Sequence, residues 1–463
     1  MKKITLIFSL CLFNFSFITL CHAQNTILYN FTGAPGKNPD GALTYFANKF
    51  YGMAQQGGAN GLGCIFSIDT NGNSYKDLFD FNGPLGAEPY GSFTLIGNRL
   101  YGMTSNGGPS GDGNIFCIDT NGGGYKDLFN FTGTNGQAPY GNLTLSGKLF
   151  YGMTSTGGTN NKGVLFSIDT NGSGYTIRLQ FNGTNGANPL GSLTLSGNKL
   201  FGMTNAGGAN SDGLMFSIDT NGGGYKDMVD FYSVTGDQPA GSLILTGNKL
   251  FGMTQDGGAN ADGAIFTVDT NGGRYKILFS FNNTNGDEPW GDLTLSGDVL
   301  FGMTQHGGAN TDGVIFSIDT NGTGYTDLLD FNSTNGRDPQ GDLIILGERL
   351  YGMTEYGGPN DDGVIFSLKN LYLGTNELTT STGYVKLFPN PSNGFFTIKL
   401  EGHEAKSNIA VYNMLGEKIY STELAPNYSG SINLSGNPSG IYLYRITNES
   451  GEQVGSGKLI IEY

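Results

Sequence analysis

The chain has 463 residues, 78 of them glycine, with 14% charged and 12% aromatic side chains. That length holds two or three domains and a sizeable core, and glycine in so patterned a sequence means short strands and tight turns rather than disorder. The formal charge of −15, which becomes −17 once the two lysines of the leader are removed, repels phosphate backbones and anionic lipid and argues against nucleic acid as a partner.

Residues 1–23 read as a signal peptide. Lys2 and Lys3 form the charged start, Ile4 to Leu20 is apolar, and Cys21-His22-Ala23 puts small residues at the −3 and −1 positions. Leu20 is too bulky to favour Cys21 as a lipid attachment point. No later stretch is long and apolar enough to span a bilayer. Cys64 and Cys117 then remain, at different offsets of neighbouring repeats, and are expected as buried free thiols rather than a disulfide.

From there to residue 370 the chain repeats every 50 residues. Gly-Met recurs at Gly52-Met53, Gly102-Met103, Gly152-Met153, Gly202-Met203, Gly252-Met253, Gly302-Met303 and Gly352-Met353, with no insertion or deletion between copies. A period that strict means identical modules packed on their neighbours. The fourth copy shows four strand-like runs, at 191–195, 199–204, 214–219 and 225–231, joined by Asn-Gly and Ser-Gly turns and two longer loops. Four short strands per unit predict an all-β, seven-bladed β-propeller over residues 24–370. The last copy stops after its third run, while Ile27 to Phe31 matches the fourth run of other copies, as in Asp77 to Phe81. Pairing the two closes the ring with the N-terminal strand and removes two open sheet edges. The recurring Gly-Met-Thr, Gly-Gly-Ala-Asn and Phe-Ser-Ile-Asp-Thr-Asn-Gly words resemble the GloVer tandem-repeat proteins, secreted repeat proteins for which the resemblance implies no defined activity.

Residues 371–384 read as a Thr/Ser-rich linker, and 385–463 as a small Ig-like β-sandwich of alternating apolar strands. The segment opens Leu387-Phe388-Pro389-Asn390-Pro391 and reaches Gly394, then closes with Gly440-Ile441-Tyr442 and Lys458-Leu459-Ile460. It is similar to the type A C-terminal sorting domain of the type IX secretion system of Bacteroidetes-like bacteria. That resemblance makes Pro389, Asn390, Pro391 and Gly394 the sorting signal and the type IX machinery a partner. It also implies removal of the domain, with the protein either attached to surface lipopolysaccharide or released: an extracellular or outer-membrane surface location after periplasmic transit.

Chemistry is harder to place. Once the leader leaves, His306 and His403 are the only histidines, which argues against a Ser-His-Asp triad or a multi-histidine zinc site. In a propeller the second-to-third and fourth-to-first connections share one face, and here these are the long loops. Comparing the copies separates scaffold from decoration. After the recurrent Pro come Asp40, Tyr90, Tyr140, Leu190, Ala240, Trp290 and Gln340; before the Gly-Gly pair come Gln56, Asn106, Thr156, Ala206, Asp256, His306 and Tyr356. Tyr90, Tyr140, Trp290, His306 and Tyr356 are the candidate ligand-binding set, an aromatic and polar platform suited to a sugar ring, against the plainer reading that they pack loop on blade. Asn-x-Asp-Gly loops such as Asn210 to Asp212 offer oxygens for calcium, but Leu62 and Lys162 replace the Asp in two copies, and Asx turns explain the motif more simply. No metal or cofactor is therefore assigned. The reading is a secreted or cell-surface binding or adhesion scaffold for a glycan or protein ligand, favoured over an enzyme, a question the sequence leaves open. The alternative is a glycan-active hydrolase or lyase using Glu88, Glu288 or Glu355 on the long-loop face.

Overall fold

A computed structural model of the chain describes residues 25–369, 384–388, 392–401, 406–413, 417–449 and 453–461. The leader, most of the linker, and Pro389, Asn390 and Pro391 lie outside the described residues. The chain divides into two compact units, with the boundary between Lys369 and Asn370. No described helix is long and apolar enough to cross a membrane.

The first unit consists of seven four-stranded antiparallel sheets. Six are built alike from consecutive strands. In the first repeat these are β2 (Thr44–Phe46), β3 (Lys49–Ala54), β4 (Cys64–Asp69) and β5 (Lys76–Asp80). The seventh sheet takes its outer strand from β1 (Asn25–Asn30), which pairs antiparallel with Val364–Lys369, Thr26 facing Ser367 and Asn30 facing Val364. The ring is therefore closed by the N-terminal strand, as the matching runs predict. Phe31 follows β1 and is fully buried among Phe50 and Phe66 of the first blade and Tyr351, Met353 and Ile365 of the last.

Each recurring word has a packing reason. The glycine of Gly-Met sits opposite a phenylalanine of the third strand, Gly52 against Phe66 and Gly202 against Phe216. The ring folds over the glycine so closely that a Cβ on Gly202 would lie 2.7 Å from the Phe216 ring. On the other face Tyr51 and Met53 pack against Phe93, Leu100, Phe116 and Ile118 of the next blade. A tyrosine after each outer turn ties neighbours together. Tyr125 stacks on Phe79 with ring centroids 4.0 Å apart and donates its hydroxyl to the Leu85 carbonyl at 2.6 Å, and the same bond recurs from Tyr75 and Tyr225.

One local expectation differs. The first run of the fourth copy, predicted over 191–195, becomes a strand only at Thr194–Ser196. The preceding residues bond across to the next blade instead of within their own sheet, since Ser192 N–H donates to Ser242 Oγ at 2.7 Å. Cys64 and Cys117 are buried free thiols.

The second unit holds two sheets, one of Tyr384–Phe388, Phe395–Glu401 and Ser429–Asn433, the other of Lys418–Leu424, Ser407–Tyr412, Gly440–Asn448 and Gln453–Ile461. Phe396, Ile398, Leu400 and Ile432 of the first meet Ile409, Val411, Leu424, Ile446 and Leu459 of the second in one core, a β-sandwich. Gly394 accepts a 2.7 Å bond from Leu434 N–H, tying the turn before Phe395 into that sandwich.

Candidate functional site: the central cavity

The seven glycines that open the innermost segments come together around one axis. A Cβ on Gly141 would stand 2.5 Å from the Gly191 carbonyl oxygen, and one on Gly341 2.5 Å from that of Gly41, so the ring runs through every blade and returns to its start. The next residue latches each blade to its neighbour. Ala42 N–H donates to Ser92 Oγ (2.6 Å), Ser92 to Asn142, Asn142 to Ser192 (2.7 Å), Ser242 to Asp292, and Asp292 to Asp342 Oδ1 (2.6 Å). Ala42 has no side-chain acceptor to offer Asp342, so the latch lacks its seventh link where the last blade meets the first.

The residue before each recurrent proline holds φ between +51° and +53°: Asn38, Glu88, Ala138, Asn188, Gln238, Glu288 and Asp338. Non-glycine residues pay about 1 kcal/mol or more for this region, and the strain persists because hydrogen bonds fix both sides of the residue. Glu88 N–H donates to the Leu62 carbonyl and its own carbonyl accepts from Ser105 N–H; Asp338 does the same with Asp312 and Glu355. That twist directs the residue after the proline to the axis. The two long loops of each repeat also pair, Ala87 with Asn106 and Arg337 with Tyr356.

The result is a cavity of about 400 Å³ walled by Asp40, Tyr90, Tyr140, Leu190, Ala240, Trp290 and Gln340, floored by the glycine ring and its latch, with Glu355 beside them. Tyr90 and Tyr140 meet edge to face at 4.7 Å. Asp40 is 6% exposed and Glu355 9%. Burial, and then their mutual repulsion, pushes the Asp40 carboxyl well above the usual range; burial also raises that of Glu355, which accepts a bond from Gln340 Nε2. Desolvation likewise raises Asp292 and Asp342. Both Asp40 oxygens lack a hydrogen-bond partner among the described residues.

The five predicted ligand residues divide. Tyr90, Tyr140 and Trp290 stand on the cavity wall; His306 and Tyr356 lie on the loops outside it. His306 bridges two blades, with Nδ1 3.3 Å from Asp338 and Nε2 3.6 Å from Glu288; the Asp338 bond, outweighing burial, raises its pKa. Arg337 lies 4.5 Å above the Tyr356 ring and forks onto Asp361 at 3.1 and 2.9 Å. The Tyr356 hydroxyl is pushed up to about 12, by burial first and then by its bond to Glu355. Of the three carboxylates considered for catalysis, Glu355 reaches the wall, while Glu88 bonds Asn106 on the loops and Glu288 faces His306. Asp40 is the residue sequence reasoning passed over. It occupies the same column as the tyrosines, and being the only acid there was the available signal. In the Asn-x-Asp-Gly loops the asparagine amide is used structurally, Asn210 donating to the Phe231 carbonyl at 2.9 Å and Asn310 to that of Phe331 at 2.8 Å.

Four-stranded sheets repeated around a closed ring of loops define a propeller-like repeat protein with a sandwich tail. The chain belongs to the Gloeobacter/Verrucomicrobia repeat family, which matches residues 14–207 and 175–366. Residues 386–462 match the secretion system C-terminal sorting domain, which marks the chain for export by the type IX machinery to the cell surface or the extracellular space. No curated protein matches the chain. Among solved structures it is similar to PorZ, an essential bacterial surface component of the type-IX secretion system of Porphyromonas gingivalis, at 12% identity and TM-score 0.45 over 93% of this chain and 60% of that one. The extracellular domain of the hybrid two-component system BT3049 of B. thetaiotaomicron gives 9% identity and 0.48 over 95% and 57%. A fungal alcohol oxidase of the AA5 family, in complex with copper, gives 13% and 0.45 over 93% and 98%. The chain thus spans less than two thirds of the first two, and at these scores none carries an activity over to it.

Proposed function

We propose that the chain is an exported binding or adhesion protein whose ligand, a glycan, seats in the central cavity against Tyr90, Tyr140 and Trp290. The observation that carries this reading is the break in symmetry at one column. A scaffold repeated seven times needs one residue type at the axis, yet the wall carries three aromatics, an acid, an amide and two aliphatic residues. Aromatic faces beside a few polar groups are how proteins hold sugar rings. Binding of the chain to a glycan array, lost in Trp290→Ala with the thermal midpoint unchanged, is the expected result; an array without signal sinks the glycan reading.

Attachment to surface lipopolysaccharide after removal of the tail belongs to the same proposal. Its test is the mass and fractionation of the protein in cells, where a surface species lacking residues 386–462 is expected. A glycan-cleaving reading is favoured by one observation, two buried carboxyls, Asp40 and Glu355, on one cavity wall with raised pKa. Product release from a polysaccharide panel, abolished in Glu355→Gln, would establish it.

A further inference from the structure

Around the axis the blades run Trp290, Gln340, Asp40, Tyr90, Tyr140, then Leu190 and Ala240. The polar and aromatic residues are therefore contiguous, with Asp40 at their centre and the two aliphatic residues opposite. Its polar neighbours are engaged: Gln340 donates to Glu355, Asp292 accepts from Ser242 and Asp342 from Asp292. Asp40 alone on this wall is both more than nine-tenths buried and without a partner on either oxygen among the described residues. An unpaired buried carboxyl costs stability, and such groups are kept where something other than the fold supplies the partner.

Resting on the reading of this cavity as a ligand site, we infer that the group it takes is an organic ammonium ion, seated on the Asp40 carboxylate in the cavity that Tyr90, Tyr140 and Trp290 also line. A buried carboxylate sharing a cavity with aromatic rings is an arrangement that holds alkyl- and quaternary ammonium groups, because the ring faces are negative and burial strengthens the attraction. A hard divalent cation would want six or more oxygens, and ring faces supply none. Leu190 and Ala240 give the uncharged body of the ligand an apolar seat. For a glycan, the chemistry selects a sugar with a free amine over its acetylated or hydroxylated counterpart. A bound cation also offsets the repulsion between Asp40 and Glu355, whose charges otherwise oppose each other.

Trp290 is the only tryptophan, so its emission reports the cavity alone. The full chain is titrated with a glucosamine oligomer, its N-acetylated counterpart, a neutral glucose oligomer of equal length, and an alkyltrimethylammonium salt. The free-amine oligomer and the ammonium salt are expected to change Trp290 emission and to bind about tenfold or more tightly than the other two. Asp40→Asn should remove that preference while its thermal midpoint holds or rises, since the substitution relieves a buried carboxyl. Equal binding of all the oligomers, unchanged in Asp40→Asn, overturns the ammonium inference and leaves the glycan reading standing. Response to the alkylammonium salt alone, lost in Asp40→Asn, supports the inference and overturns the glycan reading. Response to none of the four probes overturns it. Should Asp40→Asn fail to fold, Tyr90→Leu removes a ring face and keeps the apolar volume; unchanged ammonium affinity there overturns the inference.

Discussion

The aspartates of the fourth strands show how one side chain sets a local pH response. Asp227 lies beside Asp230, and burial followed by that neighbour lifts its pKa to about 6; Asp77 beside Asp80 and Asp327 beside Asp330 do the same. The second blade has Asn130 in the partner position, where its amide donates to Asp127 at 2.7 Å. Asp230→Asn should therefore reproduce a pairing the protein already uses, keeping the Oδ1 that accepts from Ala209 N–H. At pH 7 it is expected to stabilise by about 1 kcal/mol after discounting for exposure, with the gain lost by about pH 4, well below the value near 6 at which Asp227 takes up its proton. Urea denaturation at the two pH values measures it. Gly202→Ala tests the opposite case: its methyl would meet the Phe216 ring, and overpacking of this kind costs about 1–3 kcal/mol in the same assay. The repeat makes such columns legible from sequence, because seven aligned copies show which positions stay fixed. What it hides is the cause, since Gly202 and Phe216 are fourteen residues apart and meet only through strand pairing.

At the scale of elements, β1 carries the closure. It supplies the outer strand of the last blade, Phe31 fills the seam, Asn360 donates to the Phe31 carbonyl at 2.9 Å, and Arg349 reaches Thr26 at 3.2 Å. Deleting residues 25–31 leaves the edge of Val364–Lys369 open and a cavity where Phe31 stood. Light scattering should then show self-association, and the thermal midpoint should fall. A monomer of unchanged midpoint would mean closure contributes little. The pairing was legible because strand-long matches between the two ends of a repeat are rare by chance. The shortened first strand was not: residues 191–193 alternate like a strand, yet their bonds go to the next blade, a partner that no local pattern can reveal.

Across the molecule most of the shifted carboxyls among the described residues move upward, Asp361 being held down by its bond to Arg337. The groups raised by burial or by like charge, Asp40, Glu355, Asp292 and Asp342 around the axis and Asp77, Asp227 and Asp327 on the outer strands, all have folded pKa values above their unfolded ones. Each contributes stability that is fully present below its unfolded pKa and lost as pH rises through the folded value, about 6 for the outer three. His306 has the same sign, its protonated ring held between Glu288 and Asp338. The thermal midpoint is expected to be higher near pH 5 than near pH 8, and His306→Gln should narrow that difference; a flat profile would contradict the assignment.

The linear order of residues was enough for the all-β repeat, its closure by the N-terminal strand and the export tail, because each rests on a period or a motif that survives in one dimension. It also marked the column after the proline as the one that varies. How far each column lies from the axis emerged only in the folded ring. A period of 50 residues says that Tyr90, Trp290 and Asp40 are equivalent, whereas a left-handed turn before each proline and a ring of touching glycines bring them onto one cavity wall. The same geometry leaves His306 and Tyr356 on the loops, tied to Asp338 and Arg337. Equivalence is a property of the chain, but convergence depends on backbone direction and on what each side chain meets when the ring closes.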